Sequence, residues 1–523
     1  MDSNYLIAPA KYNITDEITK FDSDKIALIW KDNHNERTWT YHELLVNARK
    51  FANVLTKQGI QKGDHVIVMT PRLLETYAIY MGLWMVGAVI IPASELLKAH
   101  DLAYRIDHAG VKGIITYKGM TEEFEKIEHT PSVKTRILIE EEKVGWLDYS
   151  RLMSLAPNDF TPIETSRDDA CLLAFTSGTT GNPKGVVHVH GWGYAHIRIA
   201  ADHWLDIRET DTVWATAGPG WQKWVWSPFL SILGKGATGF IYGARFNPEH
   251  QLRLLDSEKI DVLCCTPTEY RLMAKVPGLD KYQLTHLRSA VSAGEPLNRE
   301  VISVFQNQFG VKVRDGYGQT ESTLLIGTLT DTEIRPGSMG KPIMPEYMAI
   351  IDADGNPVKQ GEIGDVAVKK DFPALFKTYY KEPERLAKAI RGEYFITGDR
   401  ALFDANNYYW FQGRSDDIII SSGYTIGPFE VEDALTHHES VKEVAVVASP
   451  DEIRGTVVKA FIVLKEGYAA SDSLIRELQS FTKERTAPYK YPRRIEFVSS
   501  LPKTDSGKIR RVELRNQEFS LTK

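Results

Sequence analysis

Apolar runs of strand length alternate with longer helix-like stretches along this chain, and no other feature limits its architecture as tightly. Residues 65–69 precede the stretch 73–86, and residues 261–265 precede 268–274. Such alternation reads as an α/β fold with largely parallel sheets. Thr266-Pro267-Thr268-Glu269 has the order of a helix start: Thr266 can cap, Pro267 suits the first turn, and Glu269 follows three residues after the cap. The apolar segment 287–292 followed by Gly294-Glu295-Pro296 repeats strand, loop and helix. Loops at such strand ends are where open α/β sheets usually bind ligands.

At 523 residues the chain exceeds what one hydrophobic core supports, so two or more domains are expected. Residues 441–448 and 458–464 read as short strands around a turn at 450–455, and a helix-like run at 471–483 leads into a Pro- and Lys-rich tail. We therefore expect a large N-terminal domain of stacked α/β layers over residues 1–415 and a small mobile α+β domain over 416–523. The net charge of -6 argues against a nucleic-acid binder, which would show a basic face. Residues 77–93 carry no charge, yet they fall short of the roughly 20 apolar residues of a membrane span. Gly82, Gly87 and Pro92 also interrupt them, so a buried helix ending at Gly87 and a strand at 88–91 are predicted. The three cysteines, Cys171, Cys264 and Cys265, form neither a CxxC pair nor a disulfide framework, which suits a reducing cytoplasm. The polar, acidic start Met1-Asp2-Ser3-Asn4 lacks the pattern of a secretory leader.

The segment that carries most chemistry is Thr176-Ser177-Gly178-Thr179-Thr180-Gly181-Asn182-Pro183-Lys184-Gly185, set between apolar runs at 170–175 and 186–190. Its glycines allow tight turns that bring backbone N–H groups to a polyanion. The hydroxyls and Lys184 add donors and positive charge suited to phosphate. The GxxxxGK[ST] spacing of a Walker loop is absent from the chain. His188 and His190, two apart on a strand, share a face, but no third metal ligand accompanies them.

This segment resembles the phosphate loop of the adenylate-forming superfamily, which includes acyl-CoA synthetases, firefly luciferases and the adenylation domains of peptide synthetases. The resemblance covers nearly the whole chain, because the other superfamily motifs follow in order. It implies that Thr176, Ser177, Gly178, Thr179, Thr180 and Lys184 hold ATP phosphates. Within Tyr317-Gly318-Gln319-Thr320-Glu321 it puts Thr320 on a phosphate and Glu321 on Mg²⁺. It gives Gly294, Glu295, Pro296, Asp315 and Tyr317 to the adenine region. Asp399 of Thr397-Gly398-Asp399 would hold the ribose hydroxyls. In Gly413-Arg414-Ser415-Asp416-Asp417, Arg414 would lie near the nucleotide and Asp416 would act as the hinge. Lys508, in Pro502-Lys503-Thr504-Asp505-Ser506-Gly507-Lys508-Ile509, would be the catalytic lysine, and Gly423 would border the tunnel for the pantetheine arm of coenzyme A. Relatives usually carry arginine where this chain has Thr425.

The chemistry of the residues agrees. A carboxylate becomes open to attack by a thiol only after gaining a good leaving group, and adenylation supplies one. A cation aimed at the developing charge, in a site closed to water, accelerates that step by roughly 10²–10³. The tail Thr486-Ala487-Pro488-Tyr489-Lys490-Tyr491-Pro492-Arg493 most closely resembles the medium-chain acyl-CoA synthetase group, with Phe461 and Ile426-Gly427-Pro428 in agreement. Acetyl-CoA synthetases carry tryptophan at the position of Gly318, so glycine there is expected to open the acyl pocket, with Trp221 flanking it. The expected enzyme is an acyl-CoA synthetase for short- to medium-chain acids, branched ones included, using ATP, Mg²⁺ and coenzyme A. An amino-acid-activating domain would offer an aspartate near Trp221, and residues 218–227 contain no acid. A non-catalytic nucleotide-binding protein would have no need of Lys508, Glu321 and Thr320.

Overall fold

The computed structural model describes residues 3–176, 183–294, 297, 299–414, 417–421, 424–451, 454–486, 489–503 and 508–520. The fold is α/β and divides by packing into a larger unit, Met1–Met344 with Lys370–Lys388, and a smaller one, Pro345–Lys369 with Ala389–Lys523. The sequence reading instead divides the chain at 415/416.

Two large sheets build the first unit. The eight-stranded sheet runs Thr378–Tyr379, Lys184–Val189, Ala170–Thr176, Val89–Pro92, His65–Met69, Gly113–Tyr117, Thr135–Ile139, Leu147–Asp148. It is parallel from Ala170–Thr176 outward to Leu147–Asp148, and antiparallel where Ala170–Thr176 meets Lys184–Val189. The nine-stranded sheet is parallel from Val313–Gly318 through Ser289–Ala293, Val262–Cys265, Thr212–Ala215 and Thr238–Tyr242 to Ile26–Lys31. Strands buried on both faces need continuous apolar runs, which is why the sequence shows runs rather than alternation.

The uncharged stretch falls in a helix and a strand as expected, with bounds Leu74–Met85 and Val89–Pro92, and nearly every residue of that helix is buried. Tyr77, Tyr80 and Trp84 pack there against Trp224 and Phe229. Trp84 meets its polar obligation by donating Nε1–H to the Cys171 carbonyl at 3.0 Å. Among the described residues no helix is long and apolar enough to cross a membrane. The predicted helix start at Thr266 is a complete capping box: the Glu269 N–H donates to Thr266 Oγ1 at 3.2 Å, and the Thr266 N–H to Glu269 Oε2 at 2.8 Å.

The smaller unit holds two five-stranded sheets. One contains Met348–Ile351, Gly364–Lys369, Tyr394–Phe403, Ile390–Arg391 and Tyr409–Arg414; the other contains Tyr424–Ile426, Ile419–Ser421, Gly455–Leu464, Val441–Asp451 and Arg494–Phe497. The helices Pro428–Thr436 and Asp472–Arg485 cover the second sheet around Val446, Val458, Ile462 and Leu478. Packing joins the two sheets closely, since a Cβ on Gly427 would lie 1.9 Å from the Gln412 carbonyl oxygen.

Candidate active site

The glycine-rich segment joins two paired antiparallel strands, with Thr176 and Lys184 directly opposite one another at its two ends. Ser177, Gly178, Thr179, Thr180, Gly181 and Asn182 lie outside the described residues. Thr176 Oγ1 is buried without a hydrogen-bond partner among the described residues. Such an orphaned donor beside a lysine suits an anion carrying several oxygens.

Lys184 reaches Glu321, with which it forms an ion pair. Tyr379 completes the group: its hydroxyl donates to Glu321 Oε1 at 2.8 Å and accepts from Lys184 Nζ at 3.2 Å. The strand Thr378–Tyr379 is hydrogen-bonded to Lys184–Val189, which brings the tyrosine to the lysine. Burial acts to raise the Glu321 carboxyl, but the Lys184 charge and the hydrogen bonds from Lys184 and Tyr379 hold it below the usual carboxylate range. Glu321 is therefore ionised although only 5% exposed. No cluster of three His, Cys, Asp or Glu side chains among the described residues could hold a metal by itself. A single ionised carboxylate fits a magnesium ion whose remaining ligands are substrate phosphates and water. The Thr320 hydroxyl makes no hydrogen bond among the described residues, while the Thr320 carbonyl lies 2.6 Å from His188 Nε2.

The parallel strands Ser289–Ala293 and Val313–Gly318 carry the next group on adjacent ends, with Ser292 opposite Asp315. Gly294 takes φ +106°, a value that favours glycine, while Glu295 and Pro296 lie outside the described residues. Asp315 accepts the N–H of Gly316 at 2.9 Å and that of Leu297 at 3.4 Å. Burial pushes its carboxyl up to about 7, against those two N–H groups and the charge of Lys223. Tyr317 pairs with Ile326 across the next hairpin. Trp221 is 42% exposed and precedes a short helix, Gln222–Trp224.

At Gly318 an added Cβ would lie 2.2 Å from the Thr323 carbonyl oxygen, so a side chain there requires the hairpin to shift.

In the smaller unit, Asp399 and Arg414 stand opposite each other on paired strands, with Arg414 Nη1 3.6 Å from Asp399 Oδ1. Asp399 is buried, and its N–H donates to Thr397 Oγ1 at 3.2 Å. Lys508 is exposed, next to the bridge that pairs Lys503 with Ile509. Asp416, Gly423 and the Thr425 side chain lie outside the described residues. Two cavities, of about 570 and 370 Å³, are lined by other residues, Arg49 and Asn158 in one and Phe461 and Leu514 in the other.

The sequence reading missed Tyr379, which has no motif of its own and meets Lys184 only through strand pairing. His188 and His190 do not share a strand face as expected, because the strand ends at Val189 and His190 opens the next helix. His188 Nε2 contacts Thr320, whereas His190 Nδ1 accepts the Ile14 N–H at 3.1 Å.

Comparison with known proteins follows the same lines. The model of the AMP-binding enzyme family matches residues 15–380, and that of the AMP-binding enzyme C-terminal domain matches 430–508. The chain is 57% identical over 521 residues to the uncharacterized acyl-CoA ligase YtcI of Bacillus subtilis, covering 99% of this chain and 98% of that one. It is 39% identical over 507 residues to the mitochondrial acyl-coenzyme A synthetase ACSM3 of Mus musculus, covering 95% and 87%. Among solved structures, the anthranilate CoA ligase AuaEII in complex with anthranoyl-AMP matches with a TM-score of 0.91 at 29% identity, covering 100% of both chains. A benzoate CoA ligase from Burkholderia xenovorans LB400 matches with a TM-score of 0.85 at 28% identity, covering 96% and 100%.

Proposed function

Because the chain belongs to the AMP-binding enzyme family and is an AMP-forming acyl-CoA ligase, we propose which of its residues carry each step and which acids it takes. In the first half-reaction a substrate carboxylate oxygen bonds to the α-phosphorus of ATP, and the bond to pyrophosphate breaks. In the second, the coenzyme A thiol gives up its proton, sulfur bonds to the acyl carbon, and AMP leaves with the electron pair.

The observation that carries the assignment is the Lys184–Glu321–Tyr379 group beside the orphaned Thr176 hydroxyl. Thr176, Lys184 and Thr320 bind the phosphates, together with Ser177, Gly178, Thr179 and Thr180. Glu321 would hold a magnesium ion, which would supply positive charge for the departing pyrophosphate. Gly294, Glu295, Pro296, Asp315 and Tyr317 border the adenine. Asp399 accepts from the ribose hydroxyls, and Arg414 lies near the nucleotide. Lys508 stabilises the charge that develops at the α-phosphate during adenylation. Rotation about Asp416, with 416–523 moving as the mobile domain, then withdraws Lys508 and brings Gly423 to the pantetheine arm.

Short- to medium-chain acids remain our reading of the substrate, on the resemblance of the tail 486–493 and on Trp221 beside the acyl site. The named substrates of the two structural relatives make aromatic acids the second reading. Three free, buried cysteines suit a reducing compartment, and we place the reaction in the cytoplasm. The test is incubation with ATP, Mg²⁺ and coenzyme A and a panel from acetate to octanoate, isobutyrate, benzoate and anthranilate, following AMP release. Turnover greatest with butyrate to octanoate supports the first reading. Turnover confined to benzoate or anthranilate replaces it with the second.

A further inference from the structure

Thr320 and Glu321 belong to a turn whose position depends on groups outside it. Four consecutive residues are each held by a different partner. His188 Nε2 lies 2.6 Å from the Thr320 carbonyl oxygen, and the Phe376 N–H donates to the Glu321 carbonyl at 2.7 Å. Trp192 Nε1–H donates to the Ser322 carbonyl at 3.0 Å, and His196 Nδ1 lies 2.6 Å from Thr323 Oγ1. His188, Trp192 and His196 are four residues apart along one strand end and the helix His190–His196, a spacing that puts helical side chains on one face. Their rings are in contact, with centroids 4.3 Å apart for His188 and Trp192 and 5.2 Å for Trp192 and His196. All three rings are fully buried.

The ladder has a second side. His196 Nε2 lies 3.1 Å from the Trp226 carbonyl oxygen, and Gln222 Nε2 lies 2.6 Å from His188 Nε2. Gln222 directly follows Trp221, and Trp226 sits in the π-helical turn Val225–Ser231. Turns of this kind are frequent at functional sites. Because a carbonyl can only accept, His188 must carry its proton on Nε2, and His196 must likewise donate from Nε2 and accept the Thr323 hydroxyl at Nδ1. With that proton on Nε2, Gln222 can bond to the same nitrogen only by turning its amide oxygen toward it. His188 Nδ1 and Gln222 Oε1 are both buried and unpartnered among the described residues. Burial lowers both histidines to about 4, so both rings are neutral near pH 7 and each has one N–H donor and one bare acceptor nitrogen.

We propose that His188, Trp192 and His196 are positioning residues that hold segment 320–323 in the conformation receiving the phosphates of Mg·ATP, with His188 the decisive rung. The inference rests on the phosphate-binding reading of Thr320 and Glu321. None of the three rings needs to touch substrate. They act by keeping the Thr320 hydroxyl and the Glu321 carboxylate from swinging away when the Lys184 ion pair opens.

The test compares His188→Leu with His188→Gln, whose amide keeps an N–H donor within reach of the Thr320 carbonyl. Three quantities are measured: the Kd of Mg·ATP by equilibrium dialysis without acid, the KM values for Mg·ATP and butyrate in pyrophosphate exchange, and thioester formation from supplied butyryl-AMP and coenzyme A. His188→Leu should raise the Kd and KM for Mg·ATP about tenfold, the effect of losing one buried hydrogen bond. The KM for butyrate and the thioester step should stay within about twofold of wild type, and His188→Gln should recover most of the Mg·ATP affinity. Equal loss of both half-reactions in His188→Leu, or no recovery in His188→Gln, would overturn the ladder as a positioning device. Thr320→Ala separates the two claims. Unchanged Mg·ATP affinity there overturns the phosphate reading and the ladder with it. Weakened affinity there beside wild-type affinity in His188→Leu overturns the ladder alone.

Discussion

The Lys184 amine and the Glu321 carboxylate form an ion pair across 137 residues of sequence, and the Tyr379 hydroxyl bonds to both. The carboxylate is almost fully enclosed, whereas the lysine side chain is 24% exposed. Removing the two partners therefore has unequal effects. Lys184→Met leaves an ionised carboxylate buried without its cation and should cost about 3–5 kcal/mol. Glu321→Gln leaves a lysine that can turn to water and should cost distinctly less. Denaturant unfolding at pH 7 checks the order, and equal losses would show that the pair is not the main support of Glu321.

Acid should weaken the larger unit in a defined window. Burial lowers His188, His190 and His196 to about 4 from an ordinary 6.5. The unfolded chain thus binds protons that the fold refuses, and this stability is present above pH 6.5 and lost as pH falls toward 4. Asp315, raised to about 7 by burial, works in the opposite sense over the same range and offsets one histidine. The net expected loss is roughly 2 kcal/mol per pH unit between 6 and 5. Asp315→Asn should steepen the slope, as followed by denaturant unfolding at pH 6.5, 6.0, 5.5 and 5.0. A flat profile in both proteins would contradict the burial argument.

Gly318→Ala should harm structure rather than selectivity. The added Cβ starts 2.2 Å from the Thr323 carbonyl oxygen, so the hairpin must shift. Such overpacking costs about 1–3 kcal/mol. The thermal midpoint should fall, and acetate, butyrate and hexanoate should lose turnover in the same proportion. A changed ranking of the three acids at an unchanged midpoint would instead mark Gly318 as the residue that opens the acyl pocket.

Asp399→Asn tests the nucleotide side of the smaller unit. A hydrogen bond to a charged acceptor contributes about 1.5–3 kcal/mol, so the KM for ATP should rise about 10- to 100-fold. The KM for the acid should barely move. If ATP and 2′,3′-dideoxy-ATP are used equally well by the wild type, the ribose assignment is wrong.

Local order was the part of this molecule most open to reading in the sequence. The capping box at Thr266 and the helix Leu74–Met85 follow from residues within four positions of each other, and both formed as expected. The strands on either side of the glycine-rich segment were equally plain, since their apolar runs are bounded by glycine and proline. What stayed hidden depends on distant pairing. Tyr379 acquires its role only because Thr378–Tyr379 joins the edge of a sheet beside Lys184. The glycine at 318 was read through the side chain it lacks, and the approach of the Thr323 backbone to it has no local signal. The four-residue spacing of His188, Trp192 and His196 was present in the sequence, but only folding shows that all three face residues 320–323. The packing of the Met348–Arg414 sheet with the C-terminal sheet likewise reflects contacts such as Gln412 with Gly427, which no local pattern announces.

The exposed Lys508 is proposed to serve adenylation and nothing after it. Both half-reactions of Lys508→Ala can be followed on a single preparation: acyl-AMP formation from acid and ATP, and thioester formation from supplied acyl-AMP and coenzyme A. The first should fall by about 10²–10³ with the second close to wild type. Equal loss in the two half-reactions would contradict it.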